Sequence, residues 1–232
     1  MSRVPAAATP KPRKRFVTRK RVALAFAALL VAGSAVPLAG AGWIHAKAQL
    51  AQVLLERSWQ ARLAGVEEVG AKPWPWADMA PVARLQVPRL AVDQIVLAGA
   101  SGRSLAFGPG HLTGTALPGE RGNSVITGHR DTHFDFIGEL KTGDTFRLQR
   151  PDGTWVRYRV TGGEVVDART AQLVDTPDRS AVTLVTCWPF NSRDYNQPWR
   201  YAVFGEEIGE AIGEEIVKGY STLGYRTVVL LP

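Results

Sequence analysis

Short apolar runs with strand periodicity follow one another from Val82 to Phe204. Apolar and polar residues alternate in several of them, which places the apolar side chains on one face of a pleated strand. Turn signals such as Gly108-Pro109-Gly110 and Pro151-Asp152-Gly153 separate the runs, and the second is typical of a hairpin. Short, closely spaced strands predict an all-β barrel or sandwich and not alternating β/α units. The predicted strands are 82–87, 93–97, 124–129, 145–149, 154–160, 181–187 and 200–204.

Helical periodicity is clearest in residues 45–70, where apolar residues recur at steps of three or four. The pattern predicts an amphipathic helix that serves either as a stalk or as a helix packed on the domain. Prolines in the Trp- and Pro-rich segment 72–76 end it. Residues 132–140 predict a short helix within the β region, and the acidic C-terminal piece has no assigned role. The predicted organisation is a basic tail (1–21), an anchor (22–44), a helical stalk and linker (45–80), a β domain (81–205) and a C-terminal extension (206–232).

Residues 22–44 form an uncharged stretch of 23 residues, VALAFAALLVAGSAVPLAGAGWI. At about 1.5 Å per residue, a helix of this length spans a hydrocarbon core about 30 Å thick. Because basic residues precede the stretch, the positive-inside rule predicts a cytoplasmic N-terminus and an exported domain. A cleaved signal peptide is the alternative, with Ala39-Gly40-Ala41 as the cleavage site. The stretch is longer than a usual signal core, which favours an uncleaved transmembrane helix in the cell inner membrane.

The formal net charge of +7 is confined to the N-terminal tail. Residues 1–21 hold eight of the 28 basic residues and no acidic one, which leaves 20 basic against 21 acidic residues in the remainder. A surface that neutralises several phosphates needs a basic excess in the folded domain. We therefore expect no nucleic-acid partner.

Cys187 is the single cysteine, so the chain has no internal disulfide. A lone cysteine is often a small buried hydrophobe. Cys187, however, closes the apolar run Thr183-Leu184-Val185-Thr186 and precedes a Trp-Pro pair. This pattern predicts a strand end that places the thiol at a rim. A rim thiol can meet a substrate, and a neighbouring base or cation makes it a nucleophile.

His129 has the same setting as Cys187, since it ends the predicted strand 124–129. In a barrel, two such strand ends can meet at one rim, and Gly128 permits close approach. A surface or structural histidine is the alternative. Arg200 begins the run 200–204 and lies on the same strand face as Ala202 and Phe204. A guanidinium there offers the donors that an oxyanion needs. Arg193 is its rival, but it lies in a polar loop.

Two segments together resemble the sortase family, and most closely the sortases of Gram-negative proteobacteria. Residues 82–203 match it, and Thr127-Gly128-His129-Arg130-Asp131-Thr132 with Thr183-Leu184-Val185-Thr186-Cys187 are the strongest motifs. The resemblance implies a closed β-barrel of about eight strands, with His129, Cys187 and Arg200 as catalytic residues. We also predict that Thr186 binds substrate.

The implied reaction is acyl transfer without a metal or other cofactor. Cys187 attacks a peptide carbonyl in the C-terminal sorting signal of a partner protein, Arg200 stabilises the oxyanion, and His129 protonates the leaving amine. An amine acceptor, which the sequence does not identify, then resolves the thioester. The resemblance implies an exported domain, here in the periplasm, tethered to the membrane.

Three alternatives use the same residues differently. A cysteine endopeptidase would resolve the thioester with water and release the partner by hydrolysis. A membrane-tethered binding module would keep the cysteine and histidine as structural residues. A metal site built from His129, Asp131 and His133 is disfavoured, because His129 is predicted to end a strand and few further ligands are nearby.

Overall fold

A computed structural model describes residues 19–67, 70–192, 194 and 196–209, apart from the side chains of residues 32, 34–42, 44 and 45. Within these residues, eight strands close into one barrel in the order β1-β2-β3-β4-β7-β8-β6-β5. The neighbouring pairs β2–β3 and β4–β7 are parallel, and the other neighbours are antiparallel. The closed barrel predicted for this chain is therefore confirmed. The strands are β1 Pro81–Val87, β2 Val92–Ala98, β3 Gly110–His111, β4 Gly122–Thr127, β5 Thr145–Gln149, β6 Trp155–Asp167, β7 Ser180–Cys187 and β8 Trp199–Glu207.

Alternating apolar residues fill the barrel interior. Phe146 of β5 stacks on Tyr158 of β6 at a centroid distance of 5.3 Å. Gly205 of β8 makes room for this pair, since a Cβ there would lie 2.7 Å from Phe146 Cε1. The Tyr158 hydroxyl lies 2.8 Å from Ser180 Oγ, which satisfies both buried groups. Further core side chains come from β1, β4, β7 and β8, among them Leu85, Ile126, Leu184 and Val203.

The chain divides into two compact units, Met1–Lys47 and Ala48–Pro232. Helix α1 (Arg19–Leu63) begins in the first and ends in the second. In the second unit, Leu55 and Trp59 are fully buried against Met79, Ile95 and Leu97. The part of α1 that follows Lys47 is thus packed on the domain, the second of the two alternatives for the predicted stalk.

The described part of the chain holds no helix whose length and sustained apolarity suit a bilayer crossing. The predicted anchor, residues 22–44, lies within α1, and several of its side chains are among those not described.

Several element boundaries differ from the sequence-based predictions. His111, which directly follows the turn signal Gly108-Pro109-Gly110, belongs to the two-residue strand β3, which is absent from the predicted strands. Strand β6 continues past the predicted end at residue 160 to Asp167, through an irregularity between Val160 and Gly162. The short helix expected in residues 132–140 is a 3-10 helix, Asp135–Glu139. Two further helical turns, Pro88–Leu90 (3-10) and α2 (Gly102–Leu105), follow β1 and β2. Residues 210–232 of the predicted C-terminal extension lie outside the described residues, and β8 includes Glu206 and Glu207.

Candidate active site

Cys187 and Arg200 are direct partners in the antiparallel ladder between β7 and β8. Directly opposed residues in such a ladder present their side chains on the same face, with Cβ atoms about 4.5–5.5 Å apart. Cys187 is the last residue of β7, and both side chains are half-buried. The predicted strand end therefore carries a thiol that solvent can reach, beside a guanidinium.

His129 lies two residues beyond the end of β4, on the other side of β7. The parallel register pairs Thr127 with Val185, and the Gly128 N–H continues it by donating to the Val185 carbonyl at 3.1 Å. Continued for two residues beyond the end of β4, this register would place position 129 beside position 187, and on this basis we infer that His129 lies near Cys187. His129 is exposed, and its carbonyl accepts a hydrogen bond from the Phe134 N–H at 3.0 Å, which closes the turn after β4.

The Arg200 guanidinium is oriented by main-chain oxygens that precede it. Its Nη1 donates to the carbonyls of Gln197 at 2.8 Å and Trp199 at 2.9 Å. Its Nε and Nη2 make no hydrogen bond to any residue that the structure describes. These donors are the ones available to an oxygen that enters the site. The rival Arg193 lies outside the described residues.

An apolar strip adjoins the three residues. Because side chains alternate along a strand, Val185 shares a face with Cys187 and Ala202 shares a face with Arg200, and this face lies opposite to the barrel core. Val125 of β4 lies on the same face of the sheet. These three apolar residues are buried under the half-buried side chains of Leu112 and Leu173, with Phe204 beside them. We call this group of six residues the apolar strip.

The segment that carries Leu173 is fixed to β4 by Asn123. Its Nδ2 donates to the Val174 carbonyl at 3.0 Å, and its Oδ1 accepts from Thr183 Oγ1 at 3.0 Å. The β6–β7 connection thereby forms one wall of the apolar strip. A buried amide that satisfies both its donor and its acceptor in this way holds a loop in one position.

Thr186 faces away from this strip. It is 1% exposed, and its hydroxyl donates to the Gly128 carbonyl at 2.8 Å. The contact that the structure shows therefore ties the end of β4 to β7, next to His129. The substrate-binding role assigned to Thr186 stays a prediction.

Aromatic residues cover the other side of the strand end. Trp188, Phe190 and Tyr201 contact one another at centroid distances between 4.8 and 5.8 Å. An open cavity of about 470 Å³ lies beside them, lined by Val165, Trp188, Pro189, Ser192, Gln197 and Trp199. The site thus has the apolar strip on one side of Cys187 and an aromatic-walled cavity on the other.

His133 was the third residue of the metal site considered with His129 and Asp131. Within the described residues, no group of three or more histidine, cysteine, aspartate or glutamate side chains is arranged to hold a metal ion. Burial lowers the pKa of His133, the Ala106 carbonyl opposes this effect, and the positive charge of a protonated His129 adds to it.

Arg130 is a residue of this site to which the sequence assigned no role. Its side chain is only 3% exposed, and it donates to the carbonyls of Pro189 and Ser192. The sequence feature that could have indicated a role for Arg130 is its place directly after His129. An arginine in a turn is usually exposed, and its burial depends on a segment about sixty residues away.

A family model of the sortase domain matches residues 85–208, just over half of the chain. The chain belongs to the sortase family. The matched residues include the ends of β4 and β7 and the start of β8, so the family assignment and the clustered residues concern the same part of the fold. Sortases are cysteine transpeptidases, which is the enzyme class predicted from the sequence.

The chain is similar to sortases of Bacillus subtilis and Clostridium perfringens. Sortase D of Bacillus subtilis (strain 168) is 31% identical over 125 residues, which are 53% of this chain and 62% of that protein. The chain thus spans less than two thirds of that relative's length. A Clostridium perfringens Sortase D5 transpeptidase superposes with a TM-score of 0.50 at 26% identity, covering 56% of this chain and 80% of that one.

A third relative shows the shared fold. The structure of Clostridium perfringens sortase C with a C-terminal cell wall sorting motif has a TM-score of 0.51 at 24% identity, covering 71% of this chain and 90% of that one. The particular resemblance to proteobacterial sortases is not supported by these relatives.

Proposed function

We propose that this sortase cleaves a C-terminal sorting signal of a partner protein through a thioester on Cys187 and transfers the acyl group to an amine. The observation that carries the proposal is the pairing of Cys187 on β7 with Arg200 on β8, and the parallel register of β4 with β7 supports His129 as the third residue. A nucleophile, an oxyanion donor and an acid/base group are the three parts that acyl transfer requires.

In the first half-reaction, the Cys187 thiolate attacks the carbonyl of a threonine-like residue in the signal. Arg200 donates to the oxyanion of the tetrahedral intermediate through Nε or Nη2, where no described residue competes. As the intermediate collapses, the C–N bond breaks and protonated His129 gives its proton to the leaving amine. The products are a thioester on Cys187 and the released C-terminal fragment.

In the second half-reaction, an amine acceptor attacks the thioester. His129, now neutral, takes the proton from the attacking amine, the C–S bond breaks, and the Cys187 thiolate returns. Because His129 is exposed, acceptor and water can both approach it. Attack by water gives slow hydrolysis of the same intermediate.

The apolar strip is the proposed docking place for apolar side chains of the signal. Its members share the face of Cys187, so an extended peptide that crosses the strip brings its scissile carbonyl toward the thiol. The wall that carries Leu173 is fixed by Asn123, so the half-buried outer side chains of the strip, Leu112 and Leu173, are the ones that a peptide would contact. A relative solved with a cell wall sorting motif supports a peptide of this kind as the substrate.

The proposal includes a single-pass anchor, residues 22–44, in the cell inner membrane, with the N-terminus cytoplasmic and the catalytic domain in the periplasm. Its support is the sequence: 23 uncharged residues follow a tail with eight basic residues and no acidic one. Placement among the proteobacterial sortases is part of the same proposal and rests on the two sequence motifs.

Product analysis tests the proposal. The full chain is incubated with a pool of threonine-containing peptides taken from the C-termini of exported proteins, with and without an added amine. Transpeptidation predicts an amide product that appears only with the amine, and Cys187→Ala abolishes both cleavage and transfer. Cleavage that ignores the amine would identify an endopeptidase. No cleavage, together with a Cys187 that iodoacetamide does not label, would identify a binding module.

A further inference from the structure

Arg130 joins the two strand ends that carry His129 and Cys187. It directly follows His129, and its guanidinium reaches across to the segment that follows Cys187. Nη1 donates to the Pro189 carbonyl and Nη2 donates to the Ser192 carbonyl at 2.7 Å. The nearby Asp131 carboxylate accepts from Nε at 3.0 Å.

The burial of this guanidinium calls for an explanation. Its side chain is 3% exposed, whereas the side chain of its acidic partner, Asp131, is 51% exposed. Removing an arginine from water is costly unless its donors are satisfied. Here two of the acceptors are main-chain oxygens of one short segment, so the interaction fixes the path of the backbone there.

That segment starts at the candidate nucleophile. Cys187 ends β7, and Pro189 and Ser192 lie two and five residues later. Both residues also line the aromatic-walled cavity beside Cys187. The planar fork of a guanidinium sets the directions of its donors, so two carbonyls bound by one fork are held at a fixed separation and angle.

We propose that Arg130 is a positioning residue that holds the His129 turn and the Cys187 turn at the separation needed for proton transfer. The inference rests on the function proposed above. The acceptors identified for the Arg130 guanidinium are the Pro189 and Ser192 carbonyls and the Asp131 carboxylate, so the role proposed is structural and not chemical. Arg130 acts by joining the main chain after one reacting residue to the main chain after the other, so that the two turns cannot shift independently.

A shift of about 1 Å between reacting groups can lower the rate about 100-fold. Loss of the guanidinium is therefore expected to lower kcat by about that factor while KM stays within about threefold, because the apolar strip is untouched. A lysine can reach only one of the two carbonyls, so Arg130→Lys is expected to retain part of the rate. A role limited to stability predicts a lower melting temperature with unchanged kcat for each folded molecule.

The test compares Arg130→Gln and Arg130→Lys with Arg89→Gln in the full chain. Arg89 is a matched control, because it also binds a main-chain carbonyl, that of Glu139, and a carboxylate, that of Asp144, away from the site. Two quantities are measured for each variant: kcat and KM per titratable thiol, and the pH dependence of iodoacetamide alkylation of Cys187. Alkylation requires no sorting peptide, so it reports on the thiol even when turnover is absent.

The proposal expects a low kcat and an altered alkylation profile for Arg130→Gln, an intermediate result for Arg130→Lys, and wild-type behaviour for Arg89→Gln. Unchanged kcat and alkylation in folded Arg130→Gln would overturn it. If Arg130→Gln does not fold, a wild-type kcat in Arg130→Lys overturns it as well. If wild type lacks turnover while Arg130→Gln still alters alkylation, the proposed function fails and the positioning role stands.

Discussion

Arg200 lies directly opposite Cys187 in the β7–β8 ladder, and both of its observed hydrogen bonds use Nη1. The carbonyls of Gln197 and Trp199 therefore orient the guanidinium without occupying Nε and Nη2. A charged group that is preoriented before substrate arrives does not have to reorganise during the reaction, which is the condition for effective oxyanion stabilisation.

Arg200→Gln is expected to lower kcat about 100- to 1,000-fold, the usual loss for one oxyanion donor. Arg200→Lys retains the charge but not the fork, and an intermediate loss is expected. Arg193→Gln serves as the control, because Arg193 is the rival on sequence grounds. Steady-state kinetics with a cleaved peptide measures all three, and a large loss in Arg193→Gln with none in Arg200→Gln would reverse the assignment.

A substitution at Leu173 tests whether the apolar strip binds the peptide. Its half-buried side chain covers Val125, Val185 and Ala202, so Leu173→Ala removes apolar contact area from the proposed docking place. We expect KM for the peptide to rise about tenfold with little change in kcat, since binding and not chemistry is affected. Val53→Ala is the control, because Val53 is 50% exposed on helix α1. A fall in kcat at constant KM would contradict this role.

A substitution at Gly128 tests whether close packing of the residue before His129 is needed to position the histidine. A Cβ at this position would lie 2.7 Å from Cγ of Phe134, whose ring is fully buried. Gly128→Ala is expected to lower the free energy of unfolding by about 1–3 kcal/mol through overpacking, and to lower kcat by displacing His129. Urea denaturation and kinetics measure the two effects.

The control for this substitution is Gly162→Ala, where a Cβ would meet no heavy atom within 4 Å. Phe134→Leu should cost less in the Gly128→Ala background than in wild type, because the smaller side chain relieves the clash. Additive free energies in this pair would show that Phe134 is not the obstacle.

Local sequence patterns were enough to predict most of the strands, and to place Cys187 and His129 at or near strand ends. The apolar run ending at Cys187 and the one ending near His129 are visible in the sequence, because alternation and flanking turns are local features. Strand β3 was not predicted from the sequence, since two residues such as Gly110 and His111 are too few to show alternation. The part of β6 beyond residue 160 was not predicted, because Gly162 and Gly163 resemble a turn and only pairing with β8 keeps them extended.

The shape of the site depended on contacts distant in sequence. Alternation places Cys187 on one face with Val185, and Arg200 on one face with Ala202. No local pattern indicates that this face lies outside the barrel or that Leu173 covers it, because barrel closure decides both. The burial of Arg130 depends in the same way on Pro189 and Ser192. Thr186 is a further example: the sequence-based prediction assigns it to substrate binding, and the hydrogen bond of its hydroxyl to the Gly128 carbonyl depends on the pairing of β4 with β7.

Tyr158 gives a prediction for alkaline stability. Burial raises the pKa of Tyr158 to about 12, although its hydrogen bond with Ser180 works in the opposite direction. Between about pH 10 and about pH 12, the unfolded chain loses this proton while the folded chain keeps it, so the free energy of unfolding falls as pH rises. Below that window both states hold the proton and the stabilisation is complete.

Tyr158→Phe removes this titration, so its unfolding free energy should fall less steeply above about pH 10 than that of wild type. At neutral pH the variant should be less stable by about 1–3 kcal/mol, because Ser180 is left without its partner. The double variant Tyr158→Phe/Ser180→Ala should recover most of that loss. Parallel slopes for wild type and Tyr158→Phe at alkaline pH would show that Tyr158 is not protonated preferentially in the fold.

The proposed function requires a covalent intermediate on Cys187, and intact-protein mass spectrometry detects such an intermediate directly. The full chain is mixed with the peptide pool without an amine and analysed at early times. A thioester intermediate predicts a mass increase that matches the acyl group of the N-terminal part of one peptide, located on Cys187, absent from Cys187→Ala and removed by hydroxylamine. Peptide cleavage that proceeds in Cys187→Ala, or an adduct on any other residue, would contradict it.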